Sequence, residues 1–366
     1  MTKNTDNLNQ YKNERFLNFY KKYEKEITPY IGKYEKTRII YAILFTILAI
    51  LSTVLFERII LLDFSLGTII SMGLFDFCVI CLIYDKINFK FKNKIKQTFI
   101  PKIIQNLGEI HWNTDETIIS DSIIEKSKLF ESYNVRSNDD TFEGKYNGIE
   151  FKVSETNLSY ESGSGDDRTV STVFNGILIL IDLNKETKAH TIIKTKVETI
   201  KKTIKEISLS VLILWFSILL IWNGINTKNI TALVGGIFFP LVIILCIIQN
   251  RLSKKQIMSM KLEDPDFNKK YIVTTEDQIE GRYLITTGFM DRFKNLQTAF
   301  GTKNVKCAFF DNKIMFALHT NKDFFELSGG LFHSLKHPKR VKSFYEETTA
   351  IYDIIDYFKL DEKTGL

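Results

Sequence analysis

The chain has 366 residues, 45% of them hydrophobic, with 49 Lys and Arg against 43 Asp and Glu for a formal charge of +6. A mean hydropathy near zero at that apolar fraction excludes a low-complexity disordered chain and fits apolar spans joined to ordinary soluble segments. Four cysteines in so long a chain imply no disulfide framework.

The first element is a helix, because Phe16, Phe19, Tyr20, Tyr23 and Ile27 recur at spacings of three and four before Pro29 interrupts them. The interspersed acids Glu14, Glu24 and Glu26 favour packing of this stripe on protein over adsorption to anionic lipid. A second helix through Ile31, Tyr34 and Arg38 runs on into the first apolar run, Ile39–Phe56. That run starts too far from the N-terminus to be a cleavable signal.

Three further apolar runs follow, Leu66–Tyr84, Ile207–Trp222 and Ile230–Ile248. A helix needs about 20 mostly apolar residues to cross a hydrocarbon core of about 30 Å. Ile39–Phe56 and Ile230–Ile248 meet that length. Leu66–Tyr84 meets it but carries Asp76 near its middle, and Ile207–Trp222 is short unless Lys205 and Asn223 snorkel or the bilayer thins. The runs pair into two transmembrane hairpins. Lysines and arginines crowd the segments after the second run (Lys86 to Lys102), before the third (Lys194 to Lys205) and after the fourth (Arg251, Lys254, Lys255), whereas the inter-span loops hold Arg58 and Lys228 alone. Basic residues resist translocation, so both hairpins dip outward and both termini stay in the cytoplasm. The same lysine fringe accounts for the basic charge and can meet anionic headgroups. It is not interleaved with aromatics on a soluble face, so no nucleic-acid partner is expected.

Between the hairpins, Phe91–Leu107 keeps helical spacing and another helix spans about Ser120–Glu131. From Thr141 the period becomes two, giving strands through Phe142–Val153, Val170–Asp182 and Ala189–Val197, separated by the turn signals Asn147-Gly148, Gly163-Ser164-Gly165 and Asn184-Lys185. Beyond the second hairpin come a strand at Tyr271–Thr274, a helix to Leu284 entered through a capping box of Thr275 and Gln278, and a helix through Phe289, Phe293 and Phe300 closed by Gly301. A hairpin of Val305–Phe310 with Ile314–His319, the segment Asp323–Ser328 and an amphipathic helix from about Pro338 to Phe358 complete the chain. The expected organisation is a helical segment 1–37, a first transmembrane hairpin 38–84, the first half of a cytoplasmic α+β domain 85–206, a second hairpin 207–248 and the second half 249–366. The fold class is α+β, a multi-pass α-helical membrane protein with mostly antiparallel strands in its cytoplasmic domain.

The chain resembles a bacterial membrane-anchored family, domain of unknown function 3137. The blocks that carry the resemblance are Pro29, Tyr34-Glu35 and Arg38; then Ser127, Leu129-Phe130, Asp139-Asp140, Gly144, Gly148, Ser154-Glu155, Val173-Phe174-Asn175-Gly176, Asp182 and Asn184-Lys185; and, most specific, Leu262-Glu263-Asp264-Pro265-Asp266-Phe267, Val273, Asp277-Gln278, Glu280, Arg282-Tyr283-Leu284 and Phe289-Met290. Gly281 stands where the family usually has alanine, and the hairpin Ile207–Ile248 is an addition to the usual single one. The resemblance implies membrane anchoring in a bacterial cell membrane and supplies no catalytic residues.

The residues themselves point to little chemistry. Cys78 and Cys81 form a CxxC on an apolar span without a second pair, and His333 with His337 forms an HxxxH without a third ligand nearby. No cofactor, metal or catalytic residue is expected. Candidate functional residues are Asp76, Glu155, Glu263, Asp264, Asp277 and Arg282. An acid at mid-bilayer costs about 2.5–3.5 kcal/mol on insertion scales, so Asp76 is either an ion site or is hydrogen-bonded to Thr46, Ser52 or Ser217. Glu263, Asp264 and Asp266 either offer oxygen ligands to a divalent cation or form a solvated cap. Asp277 and Glu280 share a helix face while Arg282 points elsewhere, fitting surface ion pairing. The leading expectation is a non-enzymatic interaction, scaffold or sensing domain tethered to the membrane, with a protein partner or a homo-oligomer. A transport or channel component using Asp76 is the second. A membrane-bound enzyme would require Glu155, Glu263, Asp264 or Asp277 to gather with a base in one cleft.

Overall fold

A computed structural model describes residues 2–60, 66–114, 116–227, 258–299, 304–322, 324–325, 330–334 and 338–358, together with residue 302 and single positions within 234–241. The chain forms two compact units. One comprises residues 1–116, 140–146 and 322–354, and the other residues 117–139, 147–321 and 355–366.

In the first unit, α1 (Thr2–Glu26) and α2 (Thr28–Ile60) are separated at Ile27. Pro29 lies in the opening turn of α2, where its missing N–H leaves no helical bond unmade. The aromatic stripe of α1 packs on the closing helix α9 (Pro338–Phe358), with Phe16 and Phe19 at 5.4 and 4.8 Å from the Tyr345 ring. Helix α3 (Leu66–Ile104) is a single helix of 39 residues, so the separate helix expected at Phe91–Leu107 is its continuation. At about 1.5 Å per residue it outruns a hydrocarbon core of about 30 Å. Its second half accordingly buries Phe91, Ile95, Phe99, Ile100, Ile103 and Ile104.

Helices α2 and α3 are long and apolar enough to cross a membrane. Ile43, Leu44, Leu55, Leu74, Phe75 and Phe77 are each more than half exposed. An exposed apolar surface of this extent marks an interaction with lipid or with protein. The two helices meet at Gly73, where an added Cβ would lie 2.8 Å from Phe56 Cζ. This unit also holds β1 (Ile110–Thr114), which pairs antiparallel with the later residues of β2 (Val135–Tyr146) in the register Ile110 to Gly144 and Thr114 to Asp140.

The second unit is built on an antiparallel sheet that begins with the first residues of β2 and continues in the order β3-β4-β9-β8-β5-β7-β6. Its strands are β3 (Ile149–Ser162), β4 (Thr169–Asp182), β5 (Thr191–Thr195), β6 (Met258–Met260), β7 (Tyr271–Thr275), β8 (Asn304–Phe310) and β9 (Lys313–His319). Strands from before and after the apolar region 207–248 thus alternate in one sheet: β4 pairs with β9, and β5 with both β7 and β8. The class is α+β with a large antiparallel sheet.

Strand alternation separates two packed faces. Leu178, Leu180, Ala308, Phe310, Met315 and Ala317 pack with Ile119, Ile124 and Leu129 from the segment around α4 (Asp121–Ser127). On the opposite parity, Phe309 and Phe316 meet Phe289 and Phe293 of α8 (Thr287–Ala299) at ring distances of 5.5 and 6.4 Å. Gly176 on β4 has φ of +151°, and a Cβ there would lie 2.1 Å from the Leu318 carbonyl oxygen. The Val173-Phe174-Asn175-Gly176 motif is therefore a β-bulge, since Leu158 opposes Phe174 and Ser159 opposes Thr172, with a glycine that lets β9 approach.

Several expectations are corrected. The helix expected over Ser120–Glu131 stops at Ser127, because Lys128 turns left-handed at φ of 53°. The cap of α7 (Gln278–Leu284) is Asp277 and not a Thr275–Gln278 box: its carboxylate accepts from the Ile279 and Glu280 amides at 2.8 and 3.3 Å. Strand β5 yields at Lys196 to helix α5 (Lys196–Thr227), which exposes Val211, Leu212, Trp215, Ile218 and Trp222. Strands β1 and β6 were not anticipated. Most of the run Ile230–Ile248, Cys246, the Gly301 cap, most of Asp323–Ser328 and His337 of the HxxxH fall outside the described residues.

Candidate functional site

The first unit is most specific chemically where its apolar hairpin enters the folded part. Arg38 lies one residue before the apolar run of α2 and is 9% exposed. Its Nη1 donates to the Leu331 carbonyl at 2.7 Å, and its Nη2 pairs with Glu35 at 2.7 Å. From α3, Asn88 Oδ1 accepts the Leu331 amide at 2.9 Å. Both polar groups of one peptide residue are thereby gripped by the two helices. The ring of the next residue, Phe332, stacks on Tyr84 at 5.9 Å and meets Phe45 at 6.1 Å. Aromatic rings at the end of an apolar span are the usual anchors of a membrane–water boundary. Gly330 completes the joint, since a Cβ there would lie 2.6 Å from Asn88 Oδ1.

Two turns further along α3, Lys96 forms an ion pair with Asp140 of β2 at 2.9 Å, with the two side chains 8% and 0% exposed. Trp112 Nε1 donates to the other carboxylate oxygen at 2.8 Å. Lys96 is thus a correction to the lysine fringe, since it is turned into the protein. A buried ion pair of this kind contributes less net stability than it costs when halved.

The sequence-selected residues scatter. Asp76 on α3 is partly buried and accepts a hydrogen bond from Ser52 of α2, whereas Thr46 bonds its own helix at Ala42. Asp264 caps α6 (Pro265–Lys270) through the Asp266 and Phe267 amides at 2.8 and 3.1 Å. The Lys294 ammonium, 2.7 Å away, and the Phe267 amide hold its carboxyl below the usual carboxylate range. Glu263 pairs with Arg282 at the surface, and Asp277 is spent on its cap. Glu280 accepts the Lys188 and Ala189 amides at 2.9 and 3.1 Å, latching the loop before β5.

Glu155 is half-buried on β3, with a carboxylate oxygen within 4.8 Å of one from Asp139. Only Glu263 and Arg282 among the six candidates form an ion pair with each other. Burial and the Lys128 charge lower the His190 imidazole below its ordinary value, and burial pushes the Cys307 thiol well up. Neither group belongs to a cluster of candidate residues. Asn88 and Phe332 carried no signal in the sequence, and Arg38 stood out there as part of the second helix and of a family block. The one signal there for the joint was the Tyr34-Glu35 and Arg38 spacing at a span entry.

A model of the family described as protein of unknown function (DUF3137) matches residues 172–360, just over half of the chain. No curated protein and no solved structure matches it.

Proposed function

The chain belongs to the DUF3137 family, and on that premise we infer that it is a non-enzymatic, membrane-tethered interaction, scaffold or sensing protein whose folded units face the cytoplasm. The observation that carries this reading is the joint: α2 and α3 run from a lipid-matched apolar surface into a protein core and there grip the backbone of Leu331. A mere anchor would need only a linker, whereas helices gripped at their exit fix the folded part against the bilayer plane. Confinement to a surface raises the effective concentration of the units for partners on that surface.

In this reading the chain is multi-pass in the cell membrane, with both termini inside. The second hairpin is formed by 207–248, whose beginning on α5 exposes Trp215, Phe216 and Trp222. Its lysine-rich flanks face anionic headgroups, and its partner is a protein or a second copy. A transport role for Asp76 has less support, because its carboxylate is engaged by the Ser52 hydroxyl and no second acid or base lies on α2 or α3 between Ile39 and Phe56 or Leu66 and Tyr84 to pass a proton or ion on. The enzyme reading has less support, because Asp264 and Asp277 are committed to helix caps and Glu263 to a surface pair with Arg282.

Mild-detergent capture of the tagged full chain with quantitative mass spectrometry tests the proposal against an Asp76→Asn control. A near-stoichiometric partner, or self-association, retained by both versions is expected. Recovery of a monomer alone, together with an ion flux abolished by Asp76→Asn in reconstituted vesicles, would replace tethering by transport.

A further inference from the structure

Beside the joint, on another face of the same two helices, lies a cleft of about 540 Å³ lined by Lys33, Tyr34, Thr37 and Tyr41 of α2 and by Ile87, Lys90, Phe91 and Lys94 of α3. The spacing explains the gathering: positions 33, 37 and 41 on one helix and 87, 90 and 94 on the other fall on single helical faces. The cleft is chemically graded. Its end near the apolar runs is lined by Tyr41 and Ile87, beside the exposed Ile40. Its far end carries three ammonium groups. Among the described residues none of the three lysines pairs with a carboxylate, and Lys94 instead sits over the Tyr34 ring at 5.7 Å. No acid lines the cleft.

We propose that this cleft holds the phosphate headgroup of an anionic phospholipid, with its acyl chains running along the apolar surface of α2 and α3. The inference rests on the membrane reading above and deepens it, from a diffuse lysine fringe to one seated lipid. Depth agrees with the assignment. Lys33 precedes Ile39 by six residues and Lys90 follows Tyr84 by six, which is about 9 Å of helix. The headgroup layer extends about 5–8 Å beyond the hydrocarbon on each side, and lysine side chains reach back across the difference. Lys33, Lys90 and Lys94 would surround the phosphate, with the hydroxyls of Thr37 and Tyr41 toward the glycerol. The Thr37 hydroxyl donates to the Lys33 carbonyl at 3.1 Å, which leaves its oxygen lone pairs for an incoming donor. A zwitterionic headgroup would bring a choline or ethanolamine cation toward the same three ammonium groups and be disfavoured.

The test is native mass spectrometry of the full chain purified in detergent, titrated separately with phosphatidylglycerol and with phosphatidylcholine. One phosphatidylglycerol per chain is expected, bound at least tenfold more tightly than phosphatidylcholine. The triple variant Lys33→Gln, Lys90→Gln, Lys94→Gln should lose that preference, and the corresponding triple arginine variant should keep it. Neutralising Lys22, Lys36 and Lys86, exposed lysines outside the cleft lining, should leave it unchanged. Equal affinity for the two lipids, an equal loss in the control variant, or displacement of the lipid by an equal concentration of inorganic phosphate would overturn the proposal. Alkaline carbonate extraction of native membranes separates the two levels. Release of the wild-type chain would sink the membrane reading, whereas the lipid preference is read in detergent independently of that outcome.

Discussion

At the residue scale, the charged groups near the hairpin divide by what they touch. Lys33, Lys90 and Lys94 line an open cleft, while Lys96, two residues beyond Lys94, is buried against Asp140. Lys90, Lys94 and Lys96 read alike in the sequence, as members of the one basic segment Lys86 to Lys102. The distinguishing signal is phase: position 96 shares its helical face with the buried Phe99, Ile100 and Ile103. Taking one partner from a buried pair leaves an uncompensated charge and costs about 3–5 kcal/mol, whereas replacing both is far milder. Lys96→Met alone should therefore lower the thermal unfolding midpoint of the detergent-solubilised chain sharply. Lys96→Met with Asp140→Asn should recover most of that loss, since Trp112 can still donate to the asparagine carbonyl. Additive losses in the double variant would refute the buried-pair account. Asp76 was legible in the opposite sense, because its type and depth alone called for a hydroxyl, and Ser52 is among those the sequence offered.

At the scale of elements, long periodic segments were legible and short ones were not. The β8–β9 hairpin and the strand β4 carry strong apolar runs. In contrast, β1 has one apolar residue besides Trp112 along Ile110–Thr114, and β6 spans only Met258–Met260. Their pairing is supplied by neighbouring strands and leaves little trace in local composition. Helix α3 was divided in two because its composition turns from apolar to basic after Tyr84, although no glycine or proline stops it there. The acids Asp264 and Asp277 form the clearest case of site chemistry absorbed by structure. Asparagine caps a helix about as well as aspartate, whereas alanine costs about 0.5–2 kcal/mol. Asp264→Asn should thus melt near the wild type, with Asp264→Ala measurably lower. A metal or catalytic role would instead make Asp264→Asn as damaging to activity or ligand binding as Asp264→Ala. Gly281, the departure from the family's usual alanine, has a local reason as well: a Cβ there would press on Met260 and Thr275 at 3.1 to 3.3 Å.

At the scale of the whole molecule, two helices with exposed apolar faces continue directly into folded protein, and strands from both sides of a second apolar region share one sheet. The apolar runs, the α+β class and the antiparallel pairing were readable because each depends on periodicity over many residues. The joint around Leu331 was not, because Arg38 and Asn88 find their partner some 240 to 290 positions away in the chain, a distance over which a single sequence carries no local signal. The central claim is that the first hairpin crosses the membrane and holds the folded units on the cytoplasmic side. Its most direct test is impermeant thiol labelling of intact cells carrying single cysteines in a background without Cys78, Cys81, Cys246 and Cys307. Cysteine at position 58, in the turn region of the hairpin, should label in intact cells, while cysteine at exposed Ser162, at the end of β3, should label only after the membrane is opened. Labelling of position 162 in intact cells, or protection of both positions, would contradict the account.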